Sequence, residues 1–185
     1  MKKHAIIPVF IPHMGCSHNC VFCNQNTITA KTAPGSADDV RGIIEEGLPT
    51  LSGRGLDTIE IAFFGGSFTG IPLDWQKKYL AVAKEYKDNE QVDKIHISTR
   101  PDYINPPILE NLKKFGVDII ELGAQSFDDE VLSLSERGHD AYDTETASLL
   151  ITSYGFSLGI QLMIGLPGDT MAKAINSAKK TVLLK

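Results

Sequence analysis

The chain has 185 residues, enough for one substantial domain or two small ones. Apolar residues make up 42% and charged residues 22%, which excludes the disordered and fibrous classes. Its 18 Lys and Arg face 23 Asp and Glu, a net charge of -5 with no single-sign basic run, so nucleic-acid binding through a globally basic surface is not expected.

At the N-terminus, Met1-Lys2-Lys3-His4 leads into a short apolar run broken by Pro8 and Pro12, too brief for a secretory signal. No apolar stretch approaches the ~20 residues of a membrane span. A soluble, cytoplasmic chain with no membrane partner is expected.

The first predicted strand, residues 5–11, runs into a loop that holds Cys16, Cys20 and Cys23, all 3 cysteines of the chain. A predicted helix follows over 36–51, where Val40, Ile43, Ile44 and Leu48 share one face. Ser36-Ala37-Asp38-Asp39 supplies its capped, acidic entry. Strand 58–64 then precedes helix 73–86, and strand 94–99 precedes helix 107–115. Strand 118–124 is followed by helical stretches at 128–135 and 143–154, and strand 157–164 by helix 169–184. Gly116 and Gly155 stand where helix stops are needed. This β-α repeat predicts a parallel sheet with right-handed crossovers, and no linker or low-complexity segment divides residues 1–185.

An open doubly wound sheet and a partial barrel share this order, and side-chain alternation separates them. On the fourth strand Glu121, Gly123 and Gln125 oppose Ile120, Leu122 and Ala124. On the third, His96, Ser98 and Arg100 oppose Ile95, Ile97 and Thr99; on the fifth, Gly159, Gln161 and Met163 oppose Leu158, Ile160 and Leu162. Glu60 on the second strand fits the polar set. A sheet covered by helices on both faces would be apolar throughout. One polar face instead predicts an α/β fold, a partial TIM-like barrel of about five βα units whose lumen holds a ligand. The chain stops at Lys185 with no sixth strand, so an incomplete barrel is expected, with substrate determinants lying beyond that residue.

Cysteines clustered in an odd number argue against a disulfide framework and for a metal or cofactor site. The spacing C-x3-C-x2-C lets three thiolates converge on one centre. Iron–sulfur cubanes normally take four cysteines, so three leave one iron open to another molecule. Two alternatives stand beside this reading. One is a structural zinc-binding module completed by His13 or His18, and the other is a simple electron-transfer iron–sulfur protein.

The cysteine loop after the first strand, with Phe22 before the last cysteine, resembles the signature of the radical S-adenosylmethionine (SAM) enzymes. That resemblance implies a [4Fe-4S] cluster on Cys16, Cys20 and Cys23, with SAM chelating the open iron, and reductive cleavage of SAM to a 5′-deoxyadenosyl radical. Further segments resemble the family in the same order. The Gly65-Gly66-Ser67 turn would meet the methionine amino group of SAM. Glu121 to Phe127, followed by Glu136-Arg137-Gly138-His139, resembles the oxygen-independent coproporphyrinogen oxidase-like and elongator-acetyltransferase-like branch. By that likeness Gln125 bonds the ribose and Arg137 pairs with the SAM carboxylate. Gly159 to Asp169 resembles the segment beside adenine and ribose, with Gln161 where relatives commonly have Asp. Ser98 is a further candidate contact, where the porphyrin branch usually has Glu. His96 reads as an interior histidine or a substrate contact. The resemblance also implies a low-potential electron donor of flavodoxin or ferredoxin type, and an RNA or a small molecule as substrate.

Overall fold

The computed structural model describes residues 3–11, 15–23 and 35–184. Its elements in chain order are β1 (His4–Ile11), α1 (Ala37–Leu51), β2 (Thr58–Gly65), α2 (Leu73–Asp88), β3 (Lys94–Thr99) and α3 (Pro106–Lys114). They continue with β4 (Ile119–Gln125), α4 (Asp129–Leu134), α5 (Ala141–Ser153), β5 (Ser157–Leu162) and α6 (Met171–Leu183). All strand pairs are parallel, and the sheet order is β1-β2-β3-β4-β5.

That order decides between the two architectures. In a doubly wound sheet the strand order reverses part-way, which sends helices to both faces. Here every strand lies beside its predecessor, so right-handed crossovers put the helices on one face of an open sheet. The covered face carries Ile7, Val9, Ile11, Ile61, Phe63, Ile95, Ile97, Ile120 and Leu122, packed with Val40, Ile44, Tyr79, Leu80, Leu109, Leu112 and Ile151. Full burial of each such side chain is worth about 1.5–3 kcal/mol. The uncovered face carries the polar set. Glu60 lies between His4 (Nε2–Oε1 3.0 Å) and His96 (Nδ1–Oε2 3.5 Å). On the next pair Ser98 Oγ donates to Glu121 Oε1 at 2.8 Å.

Side-chain caps define several helix starts. Ser36, Asn105, Asp128 and Thr170 each accept a backbone N–H in the first turn. Asp140 and Asp143 form a reciprocal capping box, so α5 begins before the expected residue 143. β5 stops at Leu162 rather than 164, because Gly165 N–H donates to Asp169 Oδ2 and Asp169 N–H to Leu166 O, a turn that draws the chain away. β4 breaks strict alternation with a register shift between Leu122 and Gln125, and Gln125 takes φ 69°.

The end of α4 positions the segment that follows it. Glu136 N–H donates to Ser133 O (3.0 Å) and Arg137 N–H to Leu132 O (3.1 Å), the paired bonds of a Schellman motif. Its left-handed position is filled by Glu136 at φ 54°, where a side chain costs about 1–2 kcal/mol. Glu136→Gly is expected to raise stability by about 0.5–1 kcal/mol after the added freedom of the unfolded chain is counted. Urea denaturation checks this, and a lower midpoint for the variant would refute it.

Candidate active site

The cysteine loop is seated by backbone rather than by an apolar anchor. Gly15 lies directly on the turn after β2: a Cβ there would stand 2.8 Å from both Gly70 C and Ile71 N. Reciprocally, a Cβ on Gly70 would stand 2.9 Å from Gly15 C and 3.0 Å from Gly15 Cα. Farther along, Tyr103 OH donates to Ser17 Oγ (2.7 Å), and Ser17 Oγ shares a hydrogen bond with His18 Nδ1 (2.8 Å). The His18 ring occupies the space that a Cβ on Gly138 would need. Val21 N–H donates to Ser135 O (3.3 Å), and Cys23 N–H to Cys20 O (2.9 Å) closes a turn between two of the cysteines.

This seating brings the loop to the C-terminal ends of the strands, around a cavity of about 260 Å³. Every residue that the sequence assigned to the cluster or to SAM lines it, while His96, the candidate substrate contact, does not: Cys16, Cys20, Phe22 and Cys23 come from the loop, and Gly65, Gly66 and Ser67 follow β2. Ser98 from β3, Gln125 from β4, Arg137 after α4 and Gln161 from β5 complete that set. His18, Thr99, Arg100, Gly123 and Met163 line the cavity as well, although sequence reasoning assigned them no SAM contact. Gly123 and Met163 lie inside recognised segments, and Thr99 and Arg100 follow Ser98 at a strand end, which was the available signal.

The side chains divide into those that shape the wall and those with capacity to spare. The Ser67 hydroxyl accepts from Arg100 N–H (2.9 Å) and lies 3.2 Å from Thr99 Oγ1, which in turn lies 2.6 Å from Thr69 Oγ1. Ser67 thus ties the Gly-Gly turn to the end of β3. Gln125 Nε2 donates to Gln161 Oε1 at 3.2 Å. Arg137 Nη1 donates to Cys20 Sγ (3.1 Å) and Nη2 to Gly123 O (2.6 Å), with the guanidinium 5.7 Å from the Phe22 ring centroid. Gln125 Oε1 and Arg137 Nε are buried with no hydrogen-bond partner. Such atoms are rare in folded proteins and call for an explanation. A polar ligand in this cavity would answer both.

Burial pushes the Cys23 thiol up, Cys20 and Cys16 push it the same way, and the Arg137 charge pulls it back. Binding metal would therefore displace protons from the loop. No disulfide joins the cysteines. Among the described residues no three His, Cys, Asp or Glu side chains converge on a single metal ion. A multi-iron cluster does not require that convergence, because each thiolate binds its own iron. His13, one of the alternative zinc ligands, lies outside the described residues. Beside the loop, His139 is 7% exposed, with Nε2 3.3 Å from Ala124 O and Nδ1 buried without a hydrogen-bond partner. Burial first, then the positive charges of Arg137 and Arg100, lower its pKa to about 4, against a smaller opposing pull from Asp102.

A one-sided parallel sheet with its cavity at the strand ends and a three-cysteine loop after β1 defines the class of α/β fold to which this chain belongs. Residues 10–180 match the Radical SAM superfamily, and the chain belongs to that superfamily. It is 27% identical to the tRNA uridine(34) acetyltransferase of Methanocaldococcus infernus, over 90% of this chain and 38% of that protein. It is also 27% identical to the heme chaperone HemW of Bacillus subtilis, over 84% of this chain and 42% of that protein. The chain therefore spans less than half the length of these relatives. Among solved structures, the Methanocaldococcus infernus Elp3 with an N-terminal deletion superposes with a TM-score of 0.69 at 24% identity, over 97% of this chain and 42% of that one. Superfamily structures of this kind have partial TIM barrels, the architecture expected from the polar sheet face. No described helix is long and apolar enough to cross a membrane.

Proposed function

We propose that this chain is a SAM-cleaving radical core in which Cys16, Cys20 and Cys23 bind three irons of a [4Fe-4S] cluster. When bound, such a cluster supplies the electron that cleaves the sulfonium of SAM to methionine and a 5′-deoxyadenosyl radical. The observation that carries this reading is the gathering of residues from six separated segments on the wall of one cavity at the strand ends.

The chain's own groups orient SAM and keep water out. Backbone at Gly65 and Gly66 takes the methionine amino group, since the absence of Cβ atoms permits close approach. Arg137 offers its unpartnered Nε to the carboxylate, a charge-assisted bond in a buried setting. Gln125 and Gln161, already paired with each other, hold the ribose and the edge of the adenosine. Ser98 lies beside them, oriented by Glu121. Ser67 and Thr99 brace the wall through the hydroxyl network described above.

Electrons come from a flavodoxin- or ferredoxin-type protein, and the reaction takes place in the cytoplasm. For the substrate, the relative named for tRNA uridine 34 supports an RNA, and the relative named as a heme chaperone supports a small macrocycle. Either would approach along the uncovered sheet face.

Anaerobic reconstitution tests the proposal. Expected are about four irons and four sulfides per chain, an electron paramagnetic resonance (EPR) signal that changes on adding SAM, and reductive release of 5′-deoxyadenosine. Cys16→Ala, Cys20→Ala and Cys23→Ala should each abolish that release. Stoichiometric zinc with no cluster, or a cluster indifferent to SAM, would refute it.

A further inference from the structure

We infer that Arg137 is a positioning residue that raises the reduction potential of the cluster by hydrogen-bonding the Cys20 sulfur; this rests on the cluster assignment proposed above. Three contacts fix the guanidinium. Nη1 donates to Cys20 Sγ at 3.1 Å, Nη2 donates to Gly123 O at 2.6 Å, and the group lies over Phe22 with 5.7 Å to the ring centroid. Arg137 is 6% exposed, so its charge meets the sulfur with little water between them.

The surroundings commit the side chain to this place. The Schellman turn at Glu136 sets the backbone from which it projects. Across the cavity wall, Gly123 adjoins the guanidinium: a Cβ there would stand 3.6 Å from Nη2, an ordinary contact distance, and 3.1 Å from Gln125 Nε2. Nε is left unpartnered, so the donor available to a ligand carboxylate is separate from those that grip Cys20 and Gly123. Only a planar fork serves three directions at once; a lysine ammonium is a single point charge on a flexible stem.

Reduction adds one negative charge to the cluster. A fixed cation hydrogen-bonded to a ligand sulfur stabilises the reduced form more than the oxidised one, because attraction grows with the charge and is strong where water is excluded. Hydrogen bonds to the sulfurs are among the levers that set iron–sulfur potentials.

The test is a potentiometric titration, read by EPR without SAM, of clusters reconstituted into wild-type, Arg137→Lys and Arg137→Gln chains. Arg137→Gln should lower the reduced-to-oxidised ratio at a fixed potential about tenfold, equal to about 59 mV for one electron, and Arg137→Lys should fall between. Clusters with unchanged midpoints in both variants overturn the inference. Should the variants fail to hold a cluster, wild-type chain labelled with 15N-arginine decides: the reduced cluster should show a 15N hyperfine coupling, and its absence overturns the inference. Wild-type chain that binds no cluster refutes the parent assignment, which separates that failure from one confined to Arg137.

Discussion

Gly70→Ala is expected to keep the sheet and unseat the cysteine loop. The new methyl group would meet Gly15 backbone at 2.9–3.0 Å, and neither partner is a flexible side chain that can swing aside. Overpacking of this kind costs about 1–3 kcal/mol, which is about a 5- to 150-fold loss of the seated loop. Gly15→Ala should do the same from the other side, with Gly70 C and Ile71 N at 2.8 Å. Gly42→Ala is the control: it lies inside α1 with nothing within 4 Å of an added Cβ, and should stabilise the chain by about 0.5–1 kcal/mol. Iron retained per chain after anaerobic reconstitution, with far-ultraviolet circular dichroism to follow the sheet, separates loop from fold. Full iron loading in both Gly15→Ala and Gly70→Ala would show that the close approach does not position the cysteines.

The second large effect concerns pH. His139 is buried, its folded pKa is lowered to about 4, and the ordinary value is 6.5. Between these values the unfolded chain binds a proton that the folded chain refuses, so stability falls as pH falls. Above about pH 6.5 both states are neutral at this residue, and nothing is lost. By pH 4 the group has cost about 3 kcal/mol. Denaturant titrations at pH 7.5 and pH 4 on wild type and His139→Gln measure the difference between the two slopes. The wild type should lose about 3 kcal/mol more over this interval. Equal losses would place the acid sensitivity elsewhere.

Much of the architecture is legible in local pattern. The third strand, 94–99, matches β3 at both ends, because Ile95 and Ile97 alternate cleanly with His96 and Ser98 and Arg100-Pro101 follows. Gly116 and Gly155 mark helix stops for the steric reason that makes them readable, and both take positive φ. Other features are invisible at this level. In Leu122-Gly123-Ala124-Gln125 the interior glycine is the sole hint of a bulge and does not fix its place, yet the register shift there sets how Gln125 enters the cavity wall. Glu136 fills a left-handed position by default, since the bonds of its Schellman turn come from the backbone and leave no side-chain signature. The hydroxyl network of Ser67, Thr69 and Thr99 joins residues 30 and 32 positions apart, and pairing at that distance is a property of the folded sheet.

The ionic character of the uncovered face has a consequence for how copies of the chain behave toward one another. A bare parallel sheet invites a second sheet to stack on it and dry the space between. Stacking here would strip water from the half-buried Glu121 carboxylate, whose partner is the neutral Ser98 hydroxyl, and desolvating such a charge costs several kcal/mol. The groups that ready this face for a guest thereby also act as a colloidal safeguard, keeping twin molecules apart while the guest is away.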